Sequence, residues 1–412
     1  MRRCDFIVLF VFLFSFSFCL LGCDKKSVIE SYGDISMKDD DMSGSIDYSY
    51  DSSVGVCDVL VSSESMLQKS AYVVDAVVED ENVMYSPLSL NLALGLLTNG
   101  MNDECKKFMM SYLGEDIDSY NGFVESYMKS LPSTVEIANG LFVDKHYSFN
   151  ENVVSVLKKS YDVECASLDF STVDSVNYVN DWCNNATNGF ITEIVSDLYG
   201  YSFVATNALY FKDTWDSKIE DDCVNEYGEF INLQGDVQIC NMMSMSENCY
   251  LENDNAIGFI KPYSNYKYGF VAMLPKVEGE FSMSDLDIES LLASANYNAN
   301  VKVFMPEFSF DNTLVLNDVF AKLGLSNLFE KSYCGNLLND EVAFVDMLLQ
   351  KTKVDVNRDG TEASAVTAIM MTNSAFVDSK DYVVNINRPF AFMIYDFEEN
   401  IPLFMGKVVS MD

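Results

Sequence analysis

Apolar residues recur at helical spacing from Ser63 to Val78, with Met66, Ala71, Val74 and Val78 among them, and predict a helix there. After Ser86-Pro87 the chain is strongly apolar to Leu97, which predicts a buried second helix ending near Gly100. Phe149–Tyr161 and Leu314–Leu323 also read as helices. Phe203–Phe211 is rich in β-branched and aromatic residues and reads as a strand, as do Tyr268–Leu274 and Val301–Met305. Two extended apolar runs, Ala391–Tyr395 and Leu403–Val409, flank an acidic turn at Glu398-Glu399-Asn400. Helices and strands alternate without a strict βαβ rhythm, so the pattern predicts an α+β fold rather than a doubly wound sheet.

The N-terminus breaks this pattern. Arg2 and Arg3 precede a nearly unbroken apolar run, Phe6–Leu21, short for a transmembrane helix and suited to an export signal. The run ends in Leu20-Leu21-Gly22-Cys23 and turns polar at Asp24-Lys25-Lys26. This boundary resembles a bacterial lipoprotein box, in which residues 1–22 are a signal peptide and Cys23 is lipidated. Ordinary secretion with cleavage nearby is the alternative, and the position of Cys23 favours lipidation. More than one acyl chain would anchor firmly where a single chain binds only marginally. Residues 23–57 are rich in Asp, Ser, Gly and Tyr and read as a flexible acidic linker, leaving 58–412 as the globular domain. The chain is therefore expected outside the cytoplasm, attached to a membrane by lipid.

Composition narrows the chemistry. The 412 residues are 49% hydrophobic, enough for a large core, and 63 acidic against 26 basic residues give a formal net charge of -37. Such a field repels phosphate backbones, so no nucleic-acid partner is expected. Cys57, Cys105, Cys165, Cys183, Cys223, Cys240, Cys249 and Cys334 are scattered without a CxxC pair, so free buried thiols are expected and no zinc site. His146 is the one histidine and no G-x-S-x-G is present, which leaves a hydrolase without a base or nucleophile motif. Asp355–Gly360 fits the first half of a D-x-N-x-D-G calcium loop. The twelfth position, which needs a bidentate glutamate, is Val366, so no metal and no cofactor are expected.

The segment Gly360-Thr361-Glu362-Ala363-Ser364-Ala365-Val366-Thr367-Ala368 is a run of small or β-branched residues with one charge, and no proline follows until Pro389. As a strand it would present Thr361, Ala363, Ala365, Thr367 and Ile369 on one side, small enough to slip between existing strands; by composition alone an ordinary Ala/Thr-rich surface strand is the alternative. The run resembles the hinge of the serpin reactive-centre loop. Other segments resemble the same family in the same order: Asn82–Ser89 with Ser86, Pro87 and Ser89; Asn180-Asp181-Trp182 with Thr187–Ile191; Thr206–Lys212 with Asn207, then Trp215; Pro262-Tyr263; Met305-Pro306; Arg388-Pro389-Phe390; and Leu403–Lys407.

The resemblance implies a serpin fold, with three β-sheets, about eight to nine helices and an exposed reactive-centre loop. It implies a monomeric, non-enzymatic inhibitor of serine proteases, and of some cysteine proteases, that forms a covalent complex after loop cleavage. A non-inhibitory carrier or scaffold is the alternative, and the hinge composition favours the inhibitor. Family spacing puts the reactive bond at Ser374-Ala375, whose small side chains suit elastase-like or subtilisin-like enzymes; a shift of a few residues would offer Met371 or Phe376 instead, and with no Arg or Lys there the target is not trypsin-like in either case. Ser86, Pro87, Ser89, Asn207, Trp215 and Gln350 match the region where the family's sheet opens. Two departures stand out. Gln350 occupies the place of a family histidine, and its amide is expected to bridge strands. Arg358 and Glu307 replace a family glutamate and lysine, so both signs are reversed and a swapped ion pair is expected to latch the sheet.

Overall fold

The computed structural model describes residues 66–77, 80–114, 116–322, 335–339, 345–361 and 381–411. Eight α-helices are present among them: α1 (Met66–Val77), α2 (Pro87–Asn99), α3 (Asp103–Leu113), α4 (Ile117–Ser130), α5 (Glu151–Tyr161), α6 (Val173–Ala186), α7 (Ile288–Ala293) and α8 (Leu316–Lys322). Local chemistry fixes their ends. Ser86 caps α2 by accepting a hydrogen bond from the Ser89 amide, with Pro87 in the first turn where a missing N–H costs nothing. Asn150 caps α5, which matches the expected helix closely. The helix expected over Leu314–Leu323 starts two residues late: Leu314 and Val315 instead end a strand, held by pairing to Gln350 and Leu349. Here tertiary pairing overrides a local helical pattern.

The strands, numbered in chain order, form three sheets. The largest runs β3 (Val163–Leu168), β2 (Val135–Asp144), β4 (Phe203–Phe211), β13 (Met347–Asn357), with β12 (Phe308–Val315) on the far side of β13 and the short β14 (Gly360–Thr361) and β5 (Asp213–Thr214) at one end. A six-stranded sheet is ordered β1 (Val83–Tyr85), β17 (Ile401–Val408), β16 (Phe390–Asp396), β10 (Tyr268–Pro275), β9 (Ala256–Pro262) and β8 (Tyr250–Glu252). A four-stranded sheet is ordered β15 (Asp381–Asn385), β11 (Asn300–Pro306), β7 (Val237–Glu247) and β6 (Val224–Ile231).

Alternation along β4 and β13 divides the core. Ala205, Leu209, Phe211, Val354 and Val356 face the main core with Phe270 and Phe392 of the six-stranded sheet. Val204, Ala208, Met347 and Leu349 face the other way, into a second cluster under α6 with Val179 and Cys183. The central strands are thus buried on both faces, which explains the unbroken apolar run of β4. Among the described residues the thiols of Cys183 and Cys249 are free and buried and those of Cys165 and Cys240 are free and half-buried, whereas Cys223, against expectation, is exposed. Burial pushes the thiols of Cys165, Cys183 and Cys249 up to about 12, which keeps them protonated and unreactive.

Candidate functional site: a half-open sheet and its hinge

β4 and β13 lie side by side and parallel, but they pair only over Val204–Ala208 and Met347–Lys351. Above that point the two strands diverge, and β14 enters between them. Gly360 and Thr361 pair antiparallel with Asn357 and Val356 on one side and with Thr214 and Asp213 of β5 on the other. β12 occupies the opposite edge of β13 from Leu349 to Val356, so β14, which pairs with Val356 and Asn357, sits on the edge that faces β4. The sheet is therefore closed at one end and wedged open at the other, with the first two hinge residues already seated in the opening.

Sterics and hydrogen bonds seat them. Gly360 has φ +156, and a Cβ there would fall 2.2 Å from the Asp213 carbonyl oxygen, so only glycine fits. Thr361 is buried, with its Oγ1 2.5 Å from the Tyr263 hydroxyl. Burial raises the Tyr263 phenol well above its ordinary value, so it stays neutral as a hydrogen-bond partner. Tyr263 stacks on Trp215, with centroids 4.7 Å apart and planes at 17°. The Trp215 indole donates to the Asn357 carbonyl at 2.8 Å, and its backbone amide donates to the Asp359 carbonyl at 3.1 Å.

The turn between β13 and β14 carries the expected charge pair. Arg358 grips Glu307 through Nε to Oε1 at 2.8 Å and Nη2 to Oε2 at 3.2 Å, and its backbone amide adds a third bond to Oε1 at 3.1 Å. Asn241 donates to the same carboxylate at 2.8 Å. Burial alone would raise the Glu307 carboxyl, but the hydrogen bonds from Arg358 and Asn241 outweigh it and hold it below the usual range. Arg358 Nη1 also reaches Asp221 at 3.3 Å, a partner the sequence did not suggest. The calcium-like run Asp355–Gly360 is the end of β13 and this turn. Asn357 donates to Asp355 at 3.1 Å and accepts from the Asp359 amide at 2.9 Å.

At the closed end, Gln350 does not bridge strands as expected. Its Oε1 accepts from the Ser86 amide at 2.8 Å and its Nε2 donates to the Ser86 carbonyl at 3.0 Å, tying β13 to the start of α2. The physical reason is reach: the side chain points into the core, where the backbone at the α2 entrance offers a donor and an acceptor together. Thr352, which no sequence pattern singles out, reinforces the tie by donating to the Met84 carbonyl at 3.0 Å. Asn207, the register partner of Gln350, donates to Asn139 Oδ1 at 2.7 Å, but its own Oδ1 is buried without a partner. Ser86, Pro87, Ser89, Asn207 and Gln350 therefore gather at the closed end, whereas Trp215 belongs to the hinge. His146 sits in an exposed turn after β2, bonded to Asp144. Glu362, Ala363, Ser364, Ala365, Val366, Thr367 and Ala368, the bond Ser374-Ala375, and Cys23 lie outside the described residues.

Comparison with known proteins decides what this arrangement is. The family model described as "Serpin (serine protease inhibitor)" matches residues 69–411. The chain belongs to the serpin family. It is 31% identical over 349 residues to an uncharacterized serpin-like protein of Thermococcus kodakarensis, covering 80% of this chain and 81% of that one. Human neuroserpin is 28% identical over 357 residues, covering 80% and 86%. Among solved structures, the thermophilic serpin tengpin in its native state matches with a TM-score of 0.75 at 27% identity, covering 84% of this chain and 94% of that one. Tengpin in its latent state matches with a TM-score of 0.71. Serpins as a family inhibit proteases and are not enzymes, and this chain has the serpin fold.

Proposed function

We propose that this serpin inhibits an elastase-like or subtilisin-like serine protease as a suicide substrate, with the loop after Thr361 as the bait. The observation that carries this reading is the seating of Gly360 and Thr361 in the mouth between β13 and β5. Continued in the same register, Ala363, Ala365 and Thr367 fall opposite Val354, Thr352 and Gln350, all on the core face. Every inward position is then small or β-branched. Thr367 also lands beside Asn207, whose buried acceptor lacks a partner, and its hydroxyl would supply one.

The chemistry follows from that geometry. The protease serine attacks the Ser374 carbonyl, the amine of Ala375 leaves, and an ester links the enzyme to Ser374. Cleavage frees the loop to enter between β4 and β13. One short parallel pairing is replaced by two antiparallel ladders, the more stable kind per residue, and the tethered protease is carried along before water hydrolyses the ester. A cysteine protease attacking the same bond would be held as a thioester. We place the protein outside the cytoplasm as a monomer held to a membrane through lipid on Cys23.

The test is incubation with an elastase-like protease, a subtilisin-like protease and trypsin. The first two should give a protease–serpin band that survives boiling in SDS, and trypsin should give none. Clean cleavage within 362–380 without such a band, and with the protease still active, would support a non-inhibitory carrier instead.

A further inference from the structure

Lys261 on β9 is a charged residue in an apolar strand, and it is 1% exposed. Its ammonium meets Glu247 of β7 at 2.8 Å, Ser217 Oγ at 3.2 Å and Asp216 at 3.8 Å, and it lies 5.5 Å from the centroid of the Trp215 ring. Glu247 is itself buried. One cation therefore ties the four-stranded sheet, the six-stranded sheet and residues 215–217 together.

Residues 215–219 are also the segment that grips the hinge. The Trp215 and Ile219 amides donate to the carbonyls of Asp359 and Arg358, and the Trp215 indole donates to that of Asn357. Trp215 supports Tyr263, which bonds Thr361. The path from Lys261 to the hinge is continuous: ammonium, indole, phenol, threonine hydroxyl.

Buried ion pairs stabilise little compared with apolar residues of the same size, because desolvating both charges cancels much of their attraction. A pair at this place is better explained by what it positions. We propose that Lys261 and Glu247 are a positioning pair that fixes Trp215 and Tyr263 against the hinge and so sets how readily the loop enters the sheet. The inference rests on the inhibitory reading for its consequence, but the clamp itself can be measured without any protease.

The variant Lys261→Met with Glu247→Met removes both buried charges together, and Asp216, the more distant partner, is partly exposed and stays solvated. Its urea midpoint should stay close to that of the parent protein. Hydrogen exchange read by mass spectrometry on the uncleaved protein should rise about tenfold or more in peptides covering 213–219 and 357–361, with the rest unchanged. Spontaneous loss of inhibitory activity on warming should accelerate by a similar factor. Unchanged exchange in both segments would overturn the proposal, whatever the inhibition assay shows. If the double variant proves unstable, Glu247→Gln, which keeps a hydrogen bond to Lys261 but removes the charge, carries the same exchange test with a smaller expected rise. Altered exchange in a chain that never traps a protease would uphold the clamp and refute the inhibitory reading instead.

Discussion

Arginine in place of Ala365 is expected to convert the protein from inhibitor to substrate. In the hinge register, position 365 falls opposite Thr352 on β13, whose side chain is fully buried and bonded to Met84. On the β4 side the same register sets it opposite Leu209, also buried. Burying a guanidinium there without a partner costs at least about 3 kcal/mol, enough to slow strand entry by roughly a hundredfold or more. Trapping is a race between strand entry and ester hydrolysis, so hydrolysis wins. Ala365→Arg should be cleaved at the parent rate, release active protease, and yield no SDS-stable complex. The thermal midpoint of the uncut variant should remain within about 2 °C of the parent, because the family resemblance implies a loop outside the core before cleavage, where a substitution moves stability little. A normal complex yield from Ala365→Arg would place residue 365 outside the inserted strand.

The second large effect concerns the turn that carries the hinge. Arg358→Glu would set a new carboxylate against Glu307, with Asp221 close by. Glu307 is only 15% exposed in its side chain, so the lost pairing and the new repulsion together should cost about 2–4 kcal/mol. The turn should loosen, and the protein should polymerise or insert its loop on standing. Adding Glu307→Lys restores an ion pair with the signs exchanged. Asn241, which now donates to Glu307, can turn its amide oxygen to the new ammonium. Asp221 would remain a like-charge neighbour of the carboxylate introduced at position 358, but its side chain is 85% exposed and its repulsion is screened by salt. The double variant should therefore recover most of the monomer yield on native gels, with a coupling energy of about 1 kcal/mol or more. Equal polymerisation by single and double variants would show that the pair does not latch the sheet.

How much of this could be read beforehand depended on whether the signal was local. The hinge composition, the capped Ser86-Pro87 start of α2 and the apolar β4 were legible because each is a short contiguous pattern. The Arg358–Glu307 contact was legible only through the matched reversal of two signs in the family resemblance. Four features were not. Gln350 was expected to bridge strands, and its true partner is a backbone 264 residues away that no periodicity reveals. Asp221 reaches Arg358 from an exposed acidic turn that looks like any other solvated charge run. Lys261 stands in a strand whose neighbours are apolar, and its partner Glu247 belongs to another sheet. α3 was also unread, although Asn102 at its start and Gly114 in a left-handed conformation at its end are sequence-visible caps.

The most direct test of strand insertion after acylation is the intact mass of the product formed with an elastase-like or subtilisin-like protease. The trapping mechanism predicts a covalent species containing the whole protease and the serpin chain ending at Ser374, together with a free peptide beginning at Ala375. Masses showing the serpin cut in two, with no protease attached and full protease activity remaining, would contradict it.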